Sequence, residues 1–334
     1  MERYNELKQI FQERKCFKLV CGAGNEDPEE VKRLTVIYTL AGVTMLDLSA
    51  NVDVVIAARE GIEIARKMAS ALGKKIDTRP FLNVSIGLKG DPHVRKAQID
   101  ADTCTKCGAC IHTCRQEAIN EDFLVKAYRC IGCGECSLSC NYGAIDFIHK
   151  KADFNKTLPE CFENGIETME LHAVTDDDEA VLKDWKLLNT IIEENYLSMC
   201  LDRSLLSNWH LIKRVREAYD ITGDRLIIQA DGDPMSGVGD DFNTTLQAIA
   251  CADIVQKSGI PAMIFLSGGT NSKTGILARQ CGVKANGVAI GSYARMIVKE
   301  YVKKDDLLSN MEALSKAVTI AEALIEKNIE AIRG

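Results

Sequence analysis

The sequence predicts an α/β fold: a (β/α)8 TIM-like barrel interrupted once by a small cysteine-rich module. Short apolar runs alternate with longer amphipathic stretches, which is the pattern of parallel βα units. Eight of the 14 cysteines in the 334-residue chain fall between Cys104 and Cys140. The chain outside residues 98–150 is close to the ~250 residues typical of such a barrel.

Eight candidate strands supply the barrel, and eight is the number that closes a packed parallel cylinder. They are Phe17–Cys21, Thr44–Ser49, Phe81–Ile86, Thr168–Ala173, Tyr196–Leu201, Leu226–Ala230, Ala262–Ser267 and Gly287–Ile290. Amphipathic helices are expected between them, a helix over Met1–Lys15 is expected to close the bottom, and Leu308–Ile332 is expected to pack outside. An open doubly wound sheet is the alternative, but no G-x-G-x-x-G motif follows the first strand.

The cysteine block repeats one spacing twice, with three cysteines separated by two residues each and a fourth after three more. This is the bacterial iron–sulfur run, in which the fourth cysteine of each run ligates the other cluster. The sequence therefore predicts two [4Fe–4S] clusters. The first takes Cys104, Cys107, Cys110 and Cys140, and the second takes Cys130, Cys133, Cys136 and Cys114.

Zinc is the alternative occupant of these cysteines, but zinc usually takes separated pairs or a cysteine–histidine mixture. Arg115 and Asn141 stand where the fourth cysteine of each run is normally followed by proline. Proline is not a ligand, so ligation is expected to survive while the local turn differs. Residues 98–150 are thus predicted to form a duplicated ferredoxin-like insertion, with 1–97 and 151–334 forming the barrel.

The insertion follows the third predicted strand. In a barrel, the segment after a strand lies at the C-terminal face, where active sites sit. The clusters are therefore expected at the mouth of the barrel, which suggests that electrons pass to a ligand bound there. A tolerated extension of a surface loop is the alternative interpretation.

The loops after the last two strands are glycine-rich and polar. Many barrels hold a phosphate at this position with backbone N–H groups and a short helix N-terminus. The pattern predicts a site for FMN or another phosphate-bearing small molecule, and two ligand-free tight turns are the alternative. The residues assigned to it are Gly268, Gly269, Gly291, Ser292 and Arg295.

Polar residues also stand at other strand ends, and Asp231 and His172 are the candidate catalytic groups among them. A histidine there acts as an acid or base, or else bonds a backbone carbonyl as a neutral side chain. No lysine ends a strand in the pattern of a Schiff-base enzyme. Cys21 and Cys200 are either redox thiols or small buried hydrophobic residues.

Charge and hydropathy exclude several classes of function. The net charge is −7, and the chain has no basic cluster of the kind that nucleic-acid binding needs. No apolar run is long enough to span a bilayer, and the charged start of the chain lacks a secretory signal. A cytoplasmic location is expected, without a nucleic-acid or membrane partner.

Several motifs together resemble the light-dependent period protein (LdpA) family of cyanobacteria. They are the double cysteine run, Leu19–Gly24, Gly90–Lys96, Gln229–Gly237 and Leu266–Asn271. The resemblance implies an iron–sulfur protein linked to redox sensing, coupled in that family to the circadian clock. Two functions follow: an iron–sulfur oxidoreductase with a redox protein partner, or a sensor and electron relay that signals through a partner without catalysis.

Overall fold

A computed structural model describes residues 2–22, 24–87, 95–149, 154–192, 194–232 and 239–334. Within these residues the strands are β1 Cys16–Val20, β2 Met45–Ser49, β3 Phe81–Gly87, β4 Arg95–Ile99, β5 Ile145–His149, β6 Thr168–His172, β7 Leu197–Leu201, β8 Leu226–Asp231, β9 Met263–Ser267 and β10 Gly287–Ile290.

The described α-helices connect and flank these strands. They are α1 Glu2–Gln12, α2 Pro28–Leu40, α3 Val52–Ala69, α4 Ala109–Thr113, α5 Glu135–Leu138, α6 Phe154–Glu163, α7 Asp178–Ile191, α8 Asn208–Thr222, α9 Leu246–Lys257, α10 Thr274–Gln280, α11 Ser292–Val302 and α12 Met311–Arg333. Local chemistry explains their starts. Asp27, for example, accepts hydrogen bonds from the backbone of Glu29 and Glu30, and Pro28 occupies the first turn of α2.

Eight parallel strands close into a barrel in the order β1-β10-β9-β8-β7-β6-β3-β2. The predicted (β/α)8 fold is confirmed, and each predicted strand begins and ends within one residue of an observed strand. The open-sheet alternative fails because β1 pairs with both β2 and β10. Helix α12 packs outside against α10 and α11, as expected for the tail.

Helix α1 closes the bottom of the barrel. Its Leu7 and Phe11 are fully buried, and the Phe11 ring centroid lies 4.8 Å from that of Tyr196 and 5.2 Å from that of Phe265. These side chains join a separate apolar cluster at the strand N-termini, which also contains Cys16, Met45, Phe81 and Ile227. Water is therefore excluded from the lower end, so any opening into the barrel lies at the strand C-termini.

Successive side chains along each strand face opposite sides of the sheet: one side faces the helices and the other faces the barrel interior. In β1, Phe17 and Leu19 belong to the large core beneath the helices, whereas Lys18 is buried among polar groups of other strands. Barrel interiors are usually filled by branched apolar residues. The middle and upper layers of this interior are polar instead.

The insertion leaves the barrel after β3 and returns before β6. It contains the antiparallel pair β4 and β5 with the short helices α4 and α5. Strand β4 pairs with β5 from Arg95 onward, so the hairpin starts before the predicted boundary at residue 98. Both connections, 88–94 and 150–153, lie outside the described residues.

Contacts hold the insertion against the barrel's C-terminal face. The Glu26 backbone N–H donates to the Tyr128 carbonyl at 2.8 Å, and Arg129 pairs with Glu30 at 3.2 Å. On the other side, Lys299 lies 3.1 Å from Glu117. The insertion therefore rests on the loop after β1 and on α11, the helix after β10.

In the part of the chain that the structure describes, every helix is too short or too polar to cross a lipid bilayer.

Candidate functional site

The first cysteine tetrad is defined here as Cys104, Cys107, Cys110 and Cys140. These four residues line one cavity of about 310 Å³, together with apolar residues that include Ile99 and Phe123. Gly108, with φ +82°, reverses the chain before α4 and turns the backbone around this cavity. The fourth thiol thus comes from the second run, in agreement with crossed ligation.

The second tetrad is Cys130, Cys133, Cys136 and Cys114. Burial raises the pKa of Cys136 to about 12, and the neighbouring thiols of Cys133, Cys130 and Cys114 raise it in the same direction. Cys114 acts on Cys133 in the same way. Cys114 therefore lies beside the second run rather than with its own, which completes the crossed arrangement.

The spacing of the thiols decides between zinc and a larger cluster. Cysteines on one tetrahedral zinc lie about 3.8 Å apart, given a Zn–S bond of about 2.3 Å. Among the described residues, Glu170, His172 and Cys200 are the group of metal-binding side chains whose ligand atoms all lie within 4.8 Å of one another. No three cysteines of either tetrad are that close. This spacing fits a group larger than one zinc ion, and two [4Fe–4S] clusters remain a prediction.

The two tetrads differ in their surroundings. Cys107 of the first tetrad is exposed to solvent. In the second tetrad, the Cys130 carbonyl accepts a hydrogen bond from the Lys96 ammonium at 2.8 Å, and the same ammonium donates to the Gly24 carbonyl of the barrel at 2.7 Å. Lys96 is itself buried. The first tetrad thus faces solvent, while the second is joined to the loop after β1.

An ion pair occupies the centre of the barrel. The Lys18 ammonium lies 2.6 Å from Glu170 Oε2, and Gln229 and Ser198 donate further hydrogen bonds to the same carboxylate at 2.6 and 2.9 Å. Burial raises the pKa of Glu170, but Lys18 and His172 outweigh it and lower this pKa to about 2. Glu170 is therefore held as a carboxylate.

Asp47 completes the central network, and its pKa is shifted in the opposite direction from that of Glu170. Its Oδ1 accepts hydrogen bonds from Asn83 and Ser85 at 2.6 Å each, and its Oδ2 lies 3.8 Å from the Lys18 ammonium. Burial raises the pKa of Asp47, and Lys18 offsets this only in part. Asp47 is thus a buried carboxyl that retains its proton more readily than an exposed one.

The upper layer contains both candidate catalytic residues. His172 Nε2 lies 3.3 Å from Glu170 Oε1, and the Cys200 thiol donates to Asp231 Oδ2 at 3.1 Å. His172 and Cys200 are register partners on β6 and β7, and Asp231 ends the next strand, β8. Burial raises the pKa of the Cys200 thiol well above its ordinary value, and Asp231 adds to this. Cys200 is therefore protonated here rather than a thiolate.

Lys18 and Glu170 form the centre of this network and were not among the predicted site residues, because both stand within strands rather than at their ends. The signal was present as alternation: polar residues recur at every second position, as in Thr168, Glu170 and His172. Burial lowers the pKa of Lys18, but Asp47 and Glu170 outweigh it and raise this pKa above its ordinary value. A protonated lysine is a poor nucleophile, consistent with the expectation against Schiff-base chemistry.

The predicted phosphate-site residues divide between β9 and β10. Gly268 and Gly269 have φ +65° and +68°. Gly268 packs against Asp231, since a Cβ there would lie 1.8 Å from Asp231 Oδ1. Gly268 therefore has a packing role that the sequence did not reveal.

Gly291 and Ser292 begin α11, whose Arg295 side chain turns back toward β1. Arg295 Nη1 donates to the Val20 carbonyl at 2.6 Å. Burial lowers the pKa of Arg295, and Glu30 offsets this in part. One of its guanidinium nitrogens is thus already occupied, and the phosphate site remains a prediction.

Other polar groups of the mouth have structural partners. Asn271, after β9, donates to the carbonyls of Gly239 and Asp241 at 3.0 and 2.7 Å, which anchors the loop after β8. The rest of that loop, 233–238, lies outside the described residues, as does most of the Gly90–Lys96 motif. Burial raises the pKa of Cys21 to about 12, so its thiol is the small buried group of the second interpretation.

Comparison with known proteins gives one family match for each part of the chain and one related protein that matches most of its length. The family model described as light dependent period A C-terminal domain matches residues 161–327, and the 4Fe-4S binding domain model matches residues 97–120. Light dependent period A of Synechococcus elongatus is 30% identical over 336 residues, which cover 95% of this chain and 92% of that protein.

A solved structure shares the barrel. The YdjI aldolase from Escherichia coli K12 superposes with a TM-score of 0.50 over 97% of this chain and 94% of that one. Its sequence identity is 10%, so this likeness concerns the fold alone.

Crossed ligation predicts the effect of replacing Cys114. Anaerobically purified protein should contain about eight iron and eight sulfide per chain, from two cubanes. Cys114→Ser should perturb the cluster held by Cys130, Cys133 and Cys136 and leave the other intact, as seen by metal analysis and electron paramagnetic resonance of the reduced protein. Cys281→Ser, at an exposed cysteine outside both tetrads, is the control. Damage confined to the other cluster would contradict the crossed arrangement, and about two zinc without iron would contradict both clusters.

The packing of Gly268 predicts a difference between two glycine variants. Gly268 and Gly259 have φ +65° and +71°, so alanine at either costs about 1–2 kcal/mol of backbone strain. Nothing lies within 4 Å of a Cβ at Gly259, whereas a Cβ at Gly268 overlaps Asp231. Gly268→Ala should therefore lose about 1–3 kcal/mol more in free energy of unfolding than Gly259→Ala. Denaturant titration measures both, and equal losses would show that Asp231 moves aside freely.

Proposed function

The chain belongs to the light dependent period A family and is an iron–sulfur protein, and we propose that it is an oxidoreductase that passes electrons from two [4Fe–4S] clusters to a ligand at the barrel mouth. The observation that carries the proposal is the position of Lys96. Its ammonium bonds the Cys130 carbonyl and the Gly24 carbonyl together, so the second tetrad is joined to a loop at the strand C-termini, where barrel active sites lie.

The first tetrad supports exchange with a redox protein partner. Cubane clusters supply one-electron transfer when bound, at potentials set by burial and hydrogen bonding. The exposed Cys107 and Tyr142, which is 54% exposed, place the first tetrad at the surface. A partner protein approaches closely there, whereas the second tetrad faces the barrel. The cytoplasm, which keeps thiols reduced, is the compartment that suits this chemistry.

The upper layer of the barrel supports proton transfer to a reduced ligand. His172 and Asp231 are the acid or base groups, since both are buried beside other polar side chains at the ends of β6 and β8. Asp47, whose pKa burial raises, is a further buried carboxyl of the same network. A protein that only relays electrons has no need for buried ionisable groups at this opening.

FMN is the ligand that best suits the glycine-bearing strand ends. Gly291 and Ser292 stand at the start of the 11-residue helix α11, and backbone N–H groups at a helix N-terminus favour a phosphate. Arg295 lies beside this start, with its Nη1 3.3 Å from a Cβ at Gly291. Gly268 and Gly269 lie on the adjacent strand end and complete the proposed phosphate site.

A redox sensor is the second candidate, and one contact favours it. The Lys299 ammonium donates to the carbonyl of Arg115, the residue after Cys114, at 3.0 Å. Glu117 also pairs with Lys299 and Lys303. The chain around a cluster ligand is thus attached to α11, so a change at that ligand is transmitted to the barrel without any substrate.

Reduction of added FMN distinguishes the two functions. Dithionite-reduced protein, freed of dithionite and mixed anaerobically with FMN, should transfer electrons at a rate that saturates with FMN concentration, because FMN binds before it is reduced. Stopped-flow absorbance follows the flavin and the clusters together. A rate that rises linearly without saturation indicates collision at the surface, and it would remove FMN as the ligand and favour the sensor.

Arg295 provides the test of the phosphate site itself. Arg295→Ala should weaken FMN binding about tenfold or more, because a hydrogen bond to a charged group contributes about 1.5–3 kcal/mol. Flavin fluorescence measures binding, and inorganic phosphate should compete. Arg279→Ala, at an exposed arginine of α10, is the matched control. Unchanged affinity in Arg295→Ala would exclude this site.

A further inference from the structure

Four side chains with metal-binding atoms meet in the upper layer of the barrel, apart from the cluster cysteines. They come from three neighbouring strands: Glu170 and His172 from β6, Cys200 from β7 and Asp231 from β8. We propose that Glu170, His172 and Cys200 bind one divalent transition-metal ion of the zinc or ferrous type, with Asp231 beside the Cys200 ligand. This inference concerns the pocket of the proposed function but rests on its own geometry.

The distances bring three ligand atoms around one point, and Asp231 lies beside one of them. His172 Nε2, Cys200 Sγ and a Glu170 carboxylate oxygen all lie within 4.8 Å of one another. His172 Nε2 lies 3.3 Å from Glu170 Oε1, and Cys200 Sγ lies 3.1 Å from Asp231 Oδ2. Ligands on one small ion are about 3–4 Å apart, so these three atoms are near the separations that a shared ion requires.

These side chains are buried, which distinguishes them from a cluster of flexible side chains on the surface. Glu170 and Cys200 are fully buried, and His172 and Asp231 are 5% and 6% exposed. Long, flexible side chains on a surface adopt many arrangements, but these four extend from rigid strands of one closed sheet. Binding an ion there costs little conformational entropy.

The surrounding residues hold Glu170 in place as outer partners of a metal ligand do. Lys18 and Ser198 both donate to Oε2, while Gln229 donates to Oε1, the oxygen that lies 3.3 Å from His172 Nε2. Such outer hydrogen bonds orient a ligating carboxylate. Lys18 therefore occupies the oxygen directed away from His172, and the lone pair of Oε1 that faces His172 is the one an ion takes.

The charges of the pocket favour a cation. Asp47, Glu170 and Asp231 are buried carboxyl groups, and Lys18 is the ammonium that contacts Glu170. Buried charge is costly unless it is compensated. Lys18 already compensates Glu170, and a divalent ion compensates the thiolate that Cys200 becomes when its proton is released to solvent. Nitrogen and sulfur among the ligands select zinc-type or iron-type ions over magnesium and calcium, which prefer oxygen alone.

Cobalt titration tests the site in the cluster-loaded protein. Co²⁺ takes the place of zinc and gives a thiolate-to-cobalt absorption band when cysteine is a ligand. Wild-type protein with intact clusters should bind one Co²⁺ per chain with this band, and Zn²⁺ should displace it. Cys200→Ser should abolish the band, and His172→Gln should weaken Co²⁺ binding at least about tenfold.

The control is Cys251→Ser, because Cys251 is also buried and lies near Asp231 but is not in the ligand group. It should bind Co²⁺ as the wild type does. Iron and sulfide content and circular dichroism of each variant establish that it is folded. His172→Gln keeps the inference testable if Cys200→Ser fails to fold, since His172 is closer to solvent. No cobalt uptake by folded wild-type protein, or uptake unchanged in His172→Gln, would overturn the metal site.

These results separate the metal site from the proposed function. Saturable FMN reduction without Co²⁺ uptake would overturn the metal inference alone. Stoichiometric Co²⁺ uptake with the expected band supports the metal site, even where FMN reduction does not saturate and the oxidoreductase proposal fails.

Discussion

The ion pair between Lys18 and Glu170 is the constraint on which the barrel interior depends. Removing one partner of a buried pair leaves an uncompensated charge and costs about 3–5 kcal/mol, so the surrounding residues must satisfy both groups. Gln229 and Ser198 bond Glu170, and Asp47 lies near the ammonium. The interior is therefore a connected polar network rather than a packed apolar core. The stability of the closed sheet comes instead from the apolar side chains beneath the helices and from the seal that α1 makes at the bottom.

The apolar cluster at the strand N-termini closes one end of the barrel below this polar network. Phe11 and Tyr196 fill the lower end, so the buried polar groups lie between this seal and the strand C-termini, the face that carries the iron–sulfur insertion. Lys96, buried at the boundary, joins the two parts through carbonyls of Gly24 and Cys130. In the proposed function, a ligand at the mouth lies between the clusters and the polar upper layer of the barrel.

The predicted strands agree with the observed ones to within a residue because parallel barrel strands are short, apolar and bounded by turn residues and helix caps, such as Asp27 before α2. The site was predicted less completely. His172 and Asp231 are predicted site residues because they end strands, whereas Lys18 and Glu170 stand inside strands, where that rule does not apply. Gly268 was assigned to a ligand, but its immediate neighbour is the Asp231 carboxylate. Which side chain faces the interior depends on strand register and shear, and these are properties of the closed sheet.

The sequence by itself determined the local chemistry: the cysteine spacing of an iron–sulfur module, the number of barrel strands and the position of the insertion after the third of them. These follow from short-range rules of periodicity, capping and ligand spacing. Only the tertiary structure decided that Lys18 meets Glu170 across the barrel, and that Glu170, His172, Cys200 and Asp231 share one pocket. Each of these contacts joins residues far apart in the chain, and closing the sheet is the physical step that brings them together.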